Sequence, residues 1–128
     1  MPKLAWAVVG LALIQSGFFA FDGIRAFTVG DYLTPSEGPF AGQLGPWSKL
    51  VSAVGIEPRS TLMKSVHVGL GGVGLAMTAA FIRGVCGSRR GMMIVAALGL
   101  WYLPFGTALG VVEILLLRTQ RVRAVRAT

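Results

Sequence analysis

The apolar positions of this chain run in blocks too long to be one face of a soluble helix. Leu4 to Phe21 and Ser65 to Ile82 are each 18 residues without a charge, and Gly91 to Val112 adds 22 more. One acid, Glu113, separates that third block from the apolar stretch Ile114 to Leu117. A helix of about 18 to 20 such residues crosses the roughly 30 Å hydrocarbon layer of a bilayer. Only helices and closed barrels satisfy all their backbone groups there. The pattern therefore predicts an all-α integral membrane protein.

Between the first two blocks the pattern changes. Trp47, Leu50, Val51 and Val54 fall at i, i+3, i+4 and i+7, one face of a short helix. Pro46 suits its first turn and Gly55 its end, so a helix is predicted over 46–54. It would lie at the outer membrane interface or on the outer end of the bundle. Upstream, Thr34-Pro35-Ser36-Glu37-Gly38-Pro39 reads as turn and loop. Pro58 is the expected start of the second spanning helix.

Charge sets the orientation. The segment from Asp22 to Lys64 balances Arg25, Lys49, Arg59 and Lys64 against Asp22, Asp31, Glu37 and Glu57. Arg83, Arg89 and Arg90 follow the second block, and Arg118, Arg121, Arg123 and Arg126 follow the last, with no acid among them. The positive-inside rule puts these arginines and Lys3 in the cytoplasm, among the lipid headgroups, and the balanced Asp22–Lys64 segment outside, with the external stretch between helices at about 28–57. The third block must then turn back on itself. Read as one straight helix, the 27 residues from Gly91 to Leu117 would span about 40 Å and carry the arginine tail outside. A hairpin at Leu103-Pro104-Phe105-Gly106 avoids both problems, since proline removes a backbone donor and glycine permits the turn. Trp101 and Tyr102 then sit at the outer interface, where amphipathic rings are favoured. The result is a single domain over 1–128, a four-helix membrane bundle with helices at about 4–27, 58–83, 89–103 and 106–124. Both termini are expected in the cytoplasm, and the chain in the cytoplasmic (inner) membrane.

Composition agrees with this reading. The chain is 54% hydrophobic and 13% charged, about half the charge of an ordinary soluble domain. Its net charge of +7 does not imply a nucleic-acid partner, because the cations flank apolar blocks and form no stripe with interleaved aromatics. The lone Cys86 forms no internal disulfide, and its arginine neighbours do not make it a catalytic thiol. The first block exceeds a signal-peptide core, and Gly17-Phe18-Phe19-Ala20 is too bulky for a cleavage site, so a retained helix is expected.

From about Arg89 to Leu117, a quarter of the chain, the sequence resembles a group of small, mostly uncharacterised bacterial four-helix integral membrane proteins. Those proteins share a basic loop, a short helix, and a Pro-x-Gly-Thr-x-x-Gly turn leading into a final apolar helix. Here the motif is Pro104-Phe105-Gly106-Thr107-Ala108-Leu109-Gly110. The resemblance implies the C-terminal hairpin and no particular activity. Relatives often have aromatic residues in the last helix, where this chain has Val112, Glu113 and Leu115.

Few residues break the apolar pattern. Glu113 lies nine residues past Pro104, about 13 Å into the membrane, and an intramembrane acid is a functional candidate by default. Gln15 falls at a similar depth, and a Gln15–Glu113 hydrogen bond is expected. Glu113 is read as helix glue, as a proton or ion carrier, or as a docking point for another subunit. His67 is the only histidine, so bis-histidine haem is excluded and zinc partners are lacking; it is read as an interfacial hydrogen-bonding residue. Gly72, Ala76 and Ala80 form one small-residue line, and Gly106 and Gly110 another, for close helix packing. The Gly69-x-Gly71 cluster follows no strand and is no dinucleotide loop. Asp22 and Arg25 are expected to pair, and with Asp31, Tyr32 and Gln43 to line an external pocket. No catalytic residue, metal or cofactor is expected. The favoured function is a small non-catalytic accessory or structural subunit, packing against itself or a larger membrane complex. A small oligomeric transporter or channel using Glu113 is the alternative. A lipid- or quinone-interacting enzyme is the third reading, and it would need more polar residues than Asp22, Arg25, Asp31 and His67 supply.

Overall fold

In a computed structural model, which describes residues 2–32, 44, 46–102, 105–119 and 122, the uncharged blocks are helices. They are α1 (Lys3–Val29), α2 (Pro46–Ala53), α3 (Thr61–Ile82), α4 (Ser88–Leu98) and α5 (Phe105–Leu117). No strand occurs among the described residues. With 27 and 22 residues, α1 and α3 are about 40 and 33 Å long, enough to cross a membrane by length and composition. The chain is all-α, with two candidate spanning helices.

The helix ends have local causes. Gly30 closes α1 in the left-handed region (φ 103°), its N–H reaching the Ala26 carbonyl at 3.1 Å. α3 begins at Thr61, three residues after the expected Pro58, because the Ser60 hydroxyl accepts the Met63 N–H at 3.3 Å and caps the helix. Pro58 is buried in the preceding turn. α4 stops at Leu98, five residues before the predicted end at 103. Gly99 to Tyr102 form a turn instead, with the Tyr102 N–H on the Gly99 carbonyl (3.1 Å) and the Thr107 hydroxyl donating to the Leu100 carbonyl (2.6 Å). α5 ends at Leu117, short of 124, where the Arg89 guanidinium donates to the Leu117 carbonyl at 2.9 Å. The expected turn at Pro104, the loop at Thr34–Pro39, Gln43, and the tail arginines Arg121, Arg123 and Arg126 lie outside the described residues.

α1, α3, α4 and α5 close a ring of neighbours: α1 packs on α3, α3 on α4, α4 on α5, and α5 on α1. α3 runs antiparallel to α1, with His67 beside Gly23, Gly71 against Ala20 and Gly74 against Ser16. At Gly71 a Cβ would fall on the backbone N and Cα of Ala20, so these helices touch backbone to backbone. Across α4 and α5, a Cβ on Gly106 would meet the Gly99 carbonyl, and one on Gly110 would lie 2.9 Å from the Ala96 carbonyl. The ring has a basic end, where α1 and α4 start and α3 and α5 finish, and an opposite end covered by α2.

Two apolar clusters occupy these ends. Ala5, Val8, Phe81, Met92, Leu117 and Val122 pack together at the basic end. Phe19, Tyr32, Trp47, Met63 and Tyr102 pack at the α2 end. α4 and α5 are only about 16 and 20 Å long, so their connecting turn stops near the level of Phe19. Trp47 of α2 fills the space above it, stacking on Tyr102 (centroids 5.6 Å apart, planes 25° apart) and meeting Trp101 edge-on at 5.7 Å.

Large apolar side chains are exposed along the helices while several polar ones are buried. Ile14, Leu62, Ile94 and Leu115 are each at least 60% exposed, whereas Gln15, Asp22, His67 and Glu113 are at most 7% exposed.

Candidate functional site

Midway along the ring, four helices line a small cavity of about 10 Å³. α1 contributes Ala12, Gln15 and Ser16; α3 contributes Gly74, Met77 and Thr78; α4 contributes Met92 and Val95; α5 contributes Glu113. Gly74 makes the room, since a Cβ there would collide with the Ser16 hydroxyl. The Thr78 hydroxyl donates to the Gly74 carbonyl at 2.7 Å, which leaves its oxygen lone pairs available. The structure thus brings Gln15 and Glu113 to one site, but without the expected direct hydrogen bond. Gln15 Nε2 and Glu113 Oε2 are both buried with no hydrogen-bond partner among the described residues. Ser16 and Thr78 were missed in the sequence. Their only signals are that Ser16 adjoins Gln15 and that Thr78 follows Gly74 by one turn.

The second polar layer lies about two turns away, around His67. The expected interfacial role does not hold: His67 is fully buried, and its Nδ1 lies 2.8 Å from the Met63 carbonyl in its own helix. That contact assigns the ring proton to Nδ1 and makes Nε2 the lone-pair nitrogen. Five rings enclose the imidazole: Tyr32 at 4.6 Å, Trp47 at 4.9 Å, Phe19 and Trp101 at 5.5 Å, and Tyr102 at 5.6 Å. His67 Nε2 and the Tyr32 hydroxyl have no hydrogen-bond partner among the described residues. Asp22 is buried beside them, with the Tyr102 hydroxyl 3.5 Å from its Oδ2. Trp47 and Trp101 were read as separate interface anchors. Their convergence on His67 is tertiary, and no local pattern encodes it.

Arg25 reaches along the chain from α1. Its Nη1 donates to the carbonyls of Asp31 and Tyr32, both at 2.8 Å, and so ties the chain after α1 back onto the helix. Asp31 Oδ1 accepts from Arg59 Nε and from the Tyr32 N–H, each at 2.9 Å. Partial burial opposes ionisation of Asp31, but these hydrogen bonds and the charges of Arg59 and Lys64 outweigh it and hold the carboxyl below its ordinary value. Burial, followed by the carboxylates of Asp22 and Asp31, raises the Tyr32 phenol far above its ordinary value.

The remaining candidates separate by exposure. Arg83, Arg90 and Arg118 are exposed at the basic end, whereas Arg89, expected at the headgroups, is partly buried and caps α5. Gly72 and Ala76 are exposed and Ala80 is half-buried, so this line faces away from α1. Gly71 and Gly74, on the opposite side of α3, carry the packing within the chain. Gly106 and Gly110 are buried against α4. Between α1 and α5 an apolar groove of about 320 Å³ opens among Leu13, Ile14, Phe18, Phe21 and Leu109. Among the described residues, no three His, Cys, Asp or Glu side chains stand close enough to share a metal ion. No family model, curated protein or solved structure matches the chain.

Proposed function

We propose that this chain is a four-helix protein of the cytoplasmic membrane with both termini in the cytoplasm, acting as a non-catalytic packing subunit. The exposed apolar helix faces carry this reading. Soluble monomers rarely expose large contiguous apolar patches, yet here the outward faces of α1, α3, α4 and α5 carry leucine, isoleucine, valine and phenylalanine. Only 39% of the most apolar window of α1 and 28% of that of α3 is buried, whereas the core helix of a soluble protein is mostly buried. Arg83, Arg90 and Arg118 are exposed at one end while Asp31 and Arg59 pair at the other, which supports the assigned orientation. The short α4–α5 hairpin suits a bundle whose flanking arginines reach up to the headgroups. The likeness to small bacterial membrane proteins agrees with it.

Two observations favour packing over transport. At about 10 Å³ the Gln15–Glu113 cavity has room for no more than about one water, too little for a transported organic solute. The Gly72–Ala76–Ala80 line faces out of the bundle, where small side chains let a neighbouring helix approach. The partner is a second copy or a larger membrane complex. A Gly72→Leu/Ala76→Leu double variant tests this, because both positions point outward and the substitutions leave the internal α1–α3 contact intact. The expected result, in mild detergent, is loss of cross-linked or co-purifying assemblies with an unchanged melting temperature. Assemblies that survive the double variant would contradict the packing role.

A further inference from the structure

We propose that the Gln15–Glu113 cavity is a single-water site, in which one water bridges the Gln15 amide to the Glu113 carboxyl and the carboxyl is held as the neutral acid. The inference rests on the bundle lying in lipid, and it adds to the packing role a specific internal ligand. Three observations converge on it. Gln15 Nε2 and Glu113 Oε2 are a donor and an oxygen, each without a partner among the described residues and each on a side chain more than nine-tenths buried, and both residues line the same cavity. The cavity volume of about 10 Å³ matches the space one water needs. The hydroxyls of Ser16 and Thr78 line it too, which gives a bridging water up to four polar neighbours, within the usual range for a buried water.

The neutral acid follows from what faces the site. The other lining residues from α1, α3 and α4 are uncharged. On α4, the Arg89 guanidinium donates to Met93 Sδ (3.3 Å) and to the Leu117 carbonyl, beyond the cavity. Asp22 on α1 and His67 on α3 belong to the other polar layer, each seven residues, or about 10 Å, from the cavity positions Gln15 and Gly74. A carboxylate at mid-bilayer depth with no facing cation bears the full cost of charge burial, and holding its proton removes that cost. The acid O–H and the Gln15 N–H are then two donors. One water accepts both with its two lone pairs and keeps its own protons for the hydroxyl oxygens.

Infrared spectroscopy of the full chain in lipid nanodiscs at neutral pH tests this. The expected spectrum contains the carbonyl stretch of a protonated carboxylic acid that disappears in Glu113→Gln, shifts in Gln15→Leu, and is the same in sodium and potassium buffers. If Glu113→Gln does not fold, carbon-13 labelling of glutamate in the wild-type protein assigns the band instead. A spectrum with only carboxylate bands overturns the proposal. So does an acid band unmoved by Gln15→Leu, and so does a band that vanishes on adding sodium, which would make the cavity a cation site. Alkaline extraction of the membranes before purification checks the membrane reading separately, so the two failures are distinguishable.

Discussion

Gly71 and Gly72 are neighbours in sequence with opposite surroundings. A Cβ on Gly71 would overlap the backbone of Ala20, which cannot move without separating α1 from α3, while Gly72 has nothing within 4 Å. Gly71→Ala is therefore expected to cost about 1–3 kcal/mol, the usual range for overpacking. Gly72→Ala is expected to leave stability unchanged or slightly higher, since alanine is the better helix former by roughly 0.5–1 kcal/mol. Melting temperatures of the two variants in one detergent compare them directly, and equal effects would contradict the assigned face of α3. This is also where the sequence misleads. Gly69, Gly71, Gly72 and Gly74 all suggest close helix contact there, but the line it draws is Gly72, Ala76 and Ala80, and it passes over Thr78. In a soluble helix the polar stripe tells inside from outside. In α3 both faces are apolar, so periodicity holds no such signal. Glu113 and Gln15 were legible for the opposite reason: a lone polar group in an apolar block must find company in the interior.

At the scale of elements, the long helices were readable and the short ones only in part. α1 and α3 follow from uncharged runs longer than any soluble helix face requires, and Gly30 marks one end in plain sequence. The expected ranges 4–27 and 58–83 differ from them by at most three residues at any end. α4 was drawn too long, to 103, because the turn was placed at Leu103-Pro104-Phe105-Gly106 and the apolar run before it was read as helix. What ends it is tertiary: the Thr107 hydroxyl takes the Leu100 carbonyl, and Trp101 and Tyr102 turn toward Trp47. α2 was legible as a short amphipathic helix. Its position over the hairpin turn was not, since it depends on how far α4 and α5 reach. Because Trp47 fills that space and is 3% exposed, Trp47→Ala is expected to release α2 at a cost of about 3–5 kcal/mol. Limited proteolysis is the check. The variant should be cut between residues 30 and 60 at protease levels that spare the wild type, while the helical circular dichroism of the remaining chain persists. Equal resistance would mean that Trp47 does not hold α2 in place.

For the whole molecule, sequence and structure meet on one physical point. Beside its apolar core the chain buries Gln15, Asp22, His67 and Glu113 and exposes large apolar side chains along its helices, the arrangement expected where the surroundings are themselves apolar. The proposed membrane setting puts lipid against that exposed surface and leaves the two polar layers, Gln15 with Glu113 and Asp22 with His67, inside the bundle. The proposed direction of insertion rests on the arginines at one end, and the chain has a reporter placed to test it. Cys86 is the only cysteine, and it is exposed in the turn between α3 and α4, close to Arg83 and Arg89. The decisive measurement is labelling of Cys86 in intact cells with a membrane-impermeant thiol reagent, alongside a Cys86→Ser/Glu57→Cys variant that moves the thiol to the α2 end. Cys86 should react only after the membrane is permeabilised, and the cysteine at position 57 should react in intact cells. Labelling of Cys86 in intact cells, or recovery of the protein in the soluble fraction, would contradict the membrane bundle and its orientation.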